Sequence, residues 1–210
     1  MLWIALTNSL YRFFLFLGES IVFWNHWKLW KLRWLLFSHY LFCDLWMPKR
    51  EGDFVYGETP FWTASQLYQW AEIKPEHTVW DLGCGRGSFL FFGAINLNLS
   101  TVGIDFFKLY PEIGKLISRK LALKKMMWIT SDFLNLDFSA LPSPNLVYIA
   151  GTTFSETTLE TLIQKLESLP HGAKIISLSS ALVSHQFKLL DTKKFWFSWG
   201  KASAYLHIKQ

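Results

Sequence analysis

The sequence predicts an α/β domain on a doubly wound, seven-stranded, mostly parallel sheet, preceded by an aromatic helical appendage. Three observations carry that prediction. Strand-like apolar runs alternate with helical runs between residues 78 and 178, a glycine-rich loop joins the first strand to a helix, and acids stand at the ends of three successive strands. Alternation of this kind builds parallel strands joined by crossover helices.

The appendage, residues 1–50, holds six of the twelve tryptophans. Its bases Arg12, Lys28, Lys31, Arg33, Lys49 and Arg50 stand against Glu19 and Asp44, so most of the net charge of +5 belongs to it. A nucleic-acid footprint would place that excess on the folded domain. The cluster Lys115, Arg119, Lys120, Lys124 and Lys125 reads as a solvated helix face. Trp24, Trp27, Trp30 and Trp34 recur at steps of three and four among Lys28, Lys31 and Arg33. Aromatic and basic residues on one helix suit a bilayer interface. No uninterrupted run of about 18 apolar residues exists, because Arg12, Glu19 and the Lys28–Arg33 group interrupt it. Residues 1–47 are therefore expected at a membrane, with spanning and surface attachment both open. Packing of this segment on the domain is the alternative.

Met47-Pro48-Lys49-Arg50-Glu51-Gly52-Asp53 is a polar break that starts a second unit, residues 51–210. A helix over 63–73 ends before Pro75. Strands follow at 78–82, 101–105, 126–131, 145–150 and 173–178, with helices at 88–96, 111–124 and 155–169 between them. Pro111 suits a first helical position, and Pro170-His171-Gly172 is a stop signal. The chain closes on a hairpin, 194–199 and 203–208, around Gly200-Lys201. Cys43 and Cys84 offer neither a disulfide framework nor metal-ligand spacing, so no metal is expected and a reducing compartment is.

The most informative stretch is Val79-Trp80-Asp81-Leu82-Gly83-Cys84-Gly85-Arg86-Gly87. Glycines there let the backbone turn sharply and approach a ligand. A dinucleotide fold prefers a third glycine one residue later, where this chain has Ser88. An acid two places before the first glycine suits a cationic amino-acid ligand better than a diphosphate. S-adenosylmethionine carries an ammonium and a sulfonium, and Asp81 supplies the compensating charge. Asp105, followed by Phe106, ends the second strand, where an acid can accept both ribose hydroxyls. Asp132 and Phe133 end the third, with a carboxylate for the adenine amino group and a ring for its face.

With these residues in view, the chain resembles the class I methyltransferases, whose fold is Rossmann-like. It is most similar to the non-SET lysine methyltransferases of the disruptor-of-telomeric-silencing type, over about residues 55–180. Val55-Tyr56-Gly57-Glu58-Thr59 matches that family's loop over the methionine end of the cofactor. Asp81–Gly87 matches its glycine motif, Asp105 its ribose acid and Asp132-Phe133 its adenine pair. The resemblance implies S-adenosyl-L-methionine as cofactor, with Tyr56, Gly57, Glu58, Thr59, Asp81, Gly83, Cys84, Gly85, Gly87, Asp105, Phe106, Asp132 and Phe133 around it. Where that family has an Asn-Asn-Phe turn lining an acceptor-lysine channel, this chain has Gly151-Thr152-Thr153-Phe154. Tyr56, Thr152, Thr153 and Phe154 are the candidate catalytic residues lining such a channel. In layout the chain also resembles the small membrane-anchored lysine methyltransferases of mitochondria.

The expectation is N-methylation of a protein lysine near a membrane, with the catalytic domain on the cytoplasmic side; failing attachment, the protein is expected in the cytoplasm. A small or lipid-like acceptor, or a tethered binding module without catalysis, are the alternatives. Cys84 has no Pro-Cys context, and no Asp/Asn-Pro-Pro-aromatic turn follows the fourth strand, so no nucleic-acid acceptor is expected.

Overall fold

The computed structural model describes residues 27–46, 57–151 and 154–210. Helix α1 (Trp27–Trp46) leads into α2 (Phe61–Trp70), then β1 (Thr78–Leu82), α3 (Ser88–Asn96), β2 (Ser100–Asp105), α4 (Leu109–Lys120) and β3 (Met126–Thr130). A single 3-10 turn at Phe138–Ala140 precedes β4 (Leu146–Ile149), α5 (Glu156–Leu166), β5 (Lys174–Leu178), β6 (Phe187–Phe197) and β7 (Gly200–Lys209). The sheet order is β3-β2-β1-β4-β5-β7-β6. Strands β1 to β5 pair in parallel, and β7 runs antiparallel between β5 and β6. The order reverses between β1 and β4, and ligands of open α/β sheets bind at the carboxyl ends of strands flanking such a reversal.

Strand alternation divides the interior into two cores. Trp80, Leu82, Val102, Ile104, Val147 and Ile149 face Leu162 and Leu166 of α5. Val79, Leu146, Tyr148 and Ile176 face the other layer, with Leu67 and Tyr68 of α2 and Phe89 and Phe91 of α3. By the two-residue period of a strand, Asp81 and Asp105 point to that second layer too. Trp128 of β3 packs where Gly87, Gly103 and Gly114 leave room: a Cβ on Gly103 or Gly114 would come within 2.8 Å or less of its ring. Its indole N–H donates to Ser118 Oγ at 2.9 Å.

Helix α1 is two-faced. Leu29, Leu32 and Leu36 are buried in the α2–α3 core, whereas Trp27 and Trp34 are 61% and 47% exposed, and Trp30 and Lys31 also face outward. No described helix is long and apolar enough to cross a membrane.

Several boundaries differ from the sequence expectation, each for a local reason. Helix α2 starts at Phe61 because Pro60 presets the entry dihedral, and the Thr63 hydroxyl donates to the Trp196 carbonyl instead of capping. Pro111 sits in the first turn of α4 but not at its first position, and Leu121 and Ala122 (φ 54°) end that helix before Lys124. Strand β6 begins at Phe187 because an edge strand exposed over Lys188–Lys194 shows no alternation in sequence. Its lysines suit an edge that must not recruit another strand.

Candidate active site

Three pieces of chain converge at the carboxyl ends of β1 and β4. A cleft opens there, lined by Gly57, Glu58 and Thr59, by Asp81, Gly83, Cys84 and Gly87 to Phe89 around the glycine loop, and by Tyr148 and Ala150. Gly83, Gly85 and Gly87 have φ of 84°, 51° and 74°, a left-handed path that side chains strain to follow. A Cβ on Gly83 would meet nothing within 4 Å, so this glycine leaves open room beside the backbone.

The loop is fastened to the end of β2. The N–H groups of Gly83 and Cys84 donate to the Ile104 carbonyl at 2.9 and 3.0 Å, and Gly85 N–H donates to Asp105 Oδ2 at 2.8 Å. Phe107 N–H donates to Asp105 Oδ1, also at 2.8 Å. Asp105 thus pins the glycine loop, and an ionised carboxylate, with about four acceptor sites, keeps capacity for ligand hydroxyls. Phe106 is exposed beside it, edge-on to Phe107.

Asp81 is 3% exposed. Burial, then the charge of Asp105, pushes its carboxyl well above the usual carboxylate range. A buried acid in that condition calls for a cation. Burial first, then Asp105 and Asp81, likewise raises the Cys84 thiol. Cys84 therefore stays a protonated packing group whose thiol contacts the Gly85 carbonyl.

The Glu58 segment crosses the cleft. Its Oε1 accepts from Ser88 Oγ at 2.6 Å and from Arg33 Nη1 at 3.2 Å. Its backbone N–H donates to Ser198 Oγ at 2.8 Å, and its carbonyl accepts the Ser198 N–H at 3.1 Å. Trp199 lies against Gly57, where no Cβ would fit. Thr59 and Tyr148 share a 2.7 Å hydroxyl hydrogen bond, and the Tyr148 ring stacks on Phe89 at 4.2 Å. Burial lifts the Tyr148 phenol far above its ordinary range, so it stays neutral.

The β3 residues lie off this cleft. Asp132 caps its own loop, accepting from Leu134 N–H at 2.9 Å and Asn135 Nδ2 at 3.1 Å. Phe133 meets Phe154 with ring centroids 5.5 Å apart, joining the exits of β3 and β4. Tyr56, Thr152 and Thr153 lie outside the described residues. Sequence reasoning did not single out Arg33, Ser88, Phe89, Tyr148, Ser198 or Trp199 for the site. Ser88, next to the last glycine, was the one with a signal. Phe89 follows it in the same helix, and Arg33, Tyr148, Ser198 and Trp199 arrive from distant elements.

A buried acid, a left-handed glycine loop and an open cleft fit S-adenosylmethionine, which supplies an activated methyl on a sulfonium. Asp81 and the loop 83–87 are the residues that would hold such a donor.

Solved structures share the fold. TrmN from Thermus thermophilus superposes with a TM-score of 0.63 at 16% identity, over 72% of this chain and 49% of that one. The chain thus spans about half the length of TrmN. An RNA methyltransferase from Salinibacter ruber, in complex with S-adenosyl-L-homocysteine, gives 0.60 at 16% identity over 72% and 92%. TrmK from M. capricolum, in complex with S-adenosyl-homocysteine, gives 0.52 at 15% over 69% and 68%. No curated protein matches by sequence. The family model of the histone methylation protein DOT1 matches residues 47–196. With the glycine loop, the buried acid and the strand order already in place, that match makes the chain a member of this family and a class I S-adenosylmethionine-dependent methyltransferase.

Proposed function

We propose that the enzyme N-methylates a protein lysine at or near a membrane surface, held there by residues 1–47. The observation that carries this reading is the division of α1. Its leucine face belongs to the catalytic core, while Trp27, Trp30 and Trp34 point outward with Lys31. Tryptophan at the headgroup level, with nearby bases favouring anionic lipid, makes an interfacial contact and places the domain on the cytoplasmic side. Trp62 and Trp196, also exposed, extend the aromatic surface onto α2 and β6.

The lysine part rests on the family, described as histone methylation proteins. A lysine must arrive neutral to attack the methyl group, and an aromatic channel disfavours the ammonium. We assign that channel to Tyr56, Thr152, Thr153 and Phe154. In this reading Asp81 faces the cofactor's ammonium, Asp105 its ribose, with Phe106 alongside, and Asp132 and Phe133 its adenine. Tyr56, Gly57, Glu58 and Thr59 cover its methionine end, and Gly83, Cys84, Gly85 and Gly87 form its floor. Positioning does most of the work in such a displacement.

The test supplies tritiated S-adenosylmethionine and the purified enzyme to a membrane-plus-cytosol lysate. Label recovered as methyl-lysine in membrane-associated protein is the expected result. Label confined to RNA, as the name of one structural neighbour would suggest, or to lipid, overturns the acceptor assignment.

A further inference from the structure

Among the α1 residues whose burial is described, Arg33 is the buried base, at helical spacing from Leu29 and Leu36. Its guanidinium stands over the Phe61 ring, 5.5 Å from the centroid, and Nη1 reaches Glu58 Oε1. The two side chains are 9% and 12% exposed. Burying a base is costly unless a partner repays its lost hydration, and here the partner is a carboxylate lining the cofactor cleft.

Glu58 is held from three sides. The β6–β7 turn clamps its backbone through Ser198, the first residue of α3 holds its carboxylate through Ser88 Oγ, and Arg33 holds the same oxygen from α1. The cleft already contains Asp81, and Asp105 sits directly behind it. A further carboxylate lining that space calls for a compensating positive charge, and Arg33 supplies one at 3.2 Å. Ser198 fixes only the backbone, and Ser88 gives a neutral hydrogen bond. Arg33 of α1 gives a charged contact.

We propose that Arg33 is a positioning residue of the cofactor site: it fixes the Glu58 carboxylate at the start of α3, so that the aromatic helix is a working part of that site. The inference rests on the reading that Glu58 faces the cofactor. It has a direct consequence for the appendage. A chain lacking residues 1–47 would lose the leucine packing of α1 and also the group that orients a cofactor-binding carboxylate.

The test measures S-adenosylhomocysteine affinity by calorimetry on the full chain and five variants, with melting temperature in parallel. Arg33→Met is expected to weaken binding about tenfold, the scale of one charge-assisted hydrogen bond. Arg33→Lys, which keeps one charged donor, should recover most of that loss. Glu58→Gln should weaken binding to a similar extent, and adding Arg33→Met to it should cost no more than about a further twofold, as residues acting as one unit do. Leu36→Ala loosens α1 without touching the contact, so it should lower the melting temperature and leave affinity unchanged. Should Arg33→Met not fold, Arg33→Gln takes its place in the same comparison. Full affinity in the Arg33→Met protein overturns the inference, as does a loss in Leu36→Ala equal to that in Arg33→Met. Unchanged affinity in Glu58→Gln removes Glu58 from the cofactor site, and the inference falls with it. A loss in Glu58→Gln alone overturns the role of Arg33 while leaving the site reading intact.

Discussion

Asp81 concentrates the electrostatics of the cleft in one side chain. Its carboxyl is raised by burial and by Asp105, so the folded protein without ligand binds its proton more tightly than the unfolded chain does. That contribution to stability is full below the ordinary carboxylate range and is lost as pH rises through the raised folded value. A ligand ammonium beside Asp81 reverses the balance, because it favours the ionised form. Binding of S-adenosylhomocysteine in mildly acidic solution is therefore expected to release a proton. Calorimetry in two buffers of different ionisation enthalpy measures that release directly. Asp81→Asn should abolish it and, near neutral pH, weaken binding by about 1–3 kcal/mol. Release that persists in the variant would place the titrating group elsewhere.

Among the elements, α1 shows how one helix serves two environments. Leu32 is fully buried in the α2–α3 core, whereas Trp30, two residues earlier, faces outward. Leu32→Ala is expected to destabilise the protein by about 2–5 kcal/mol, as large-to-small core changes do. Trp30→Ala should stay within about 0.5 kcal/mol, as exposed changes do. Denaturant titration compares the two, and equal costs would mean that the aromatic face is covered in solution. The β6–β7 hairpin is two-faced in another way. Its edge strand carries Lys188, Lys193 and Lys194 toward solvent, while its turn brings Ser198 and Trp199 to the Glu58 segment. An edge that looks like a simple cap on the sheet thereby holds the Gly57–Glu58 wall of the cleft in place.

For the molecule as a whole, the proposed function makes the outward-facing tryptophans of α1 the membrane contact. Full-length protein is expected to float with vesicles containing anionic lipid. Replacing Trp27, Trp30 and Trp34 by Ser should release it, while a high-salt wash of the parent should release only part, because salt screens charge but not buried rings. Protein that stays wholly with the soluble fraction at low salt would sink the membrane part of the proposed function. Affinity of the triple variant for S-adenosylhomocysteine should be unchanged, since those three side chains point away from the core.

The sequence by itself determined what depends on neighbours along the chain. The strand at 78–82 and the helix at 88–96 were legible to the residue, because an apolar run ending in Asp81 and three alternating glycines dictate a strand, a sharp turn and a helix start. Family membership followed from the same motif and its companions. What only the tertiary structure decided depends on groups far apart in sequence. Asp105 accepts from Gly85 of the glycine loop with one oxygen and from Phe107 with the other, Tyr148 meets Thr59, and Ser198 clamps Glu58 across the cleft. The tryptophan spacing of α1 marks one aromatic face, yet it is burial of Leu29, Leu32 and Leu36 against α2 and α3 that turns the opposite face inward and brings Arg33 to Glu58. Periodicity shows that a helix has faces; which face meets the core is settled by the complementary surface it packs on, and that surface exists only once the sheet has formed.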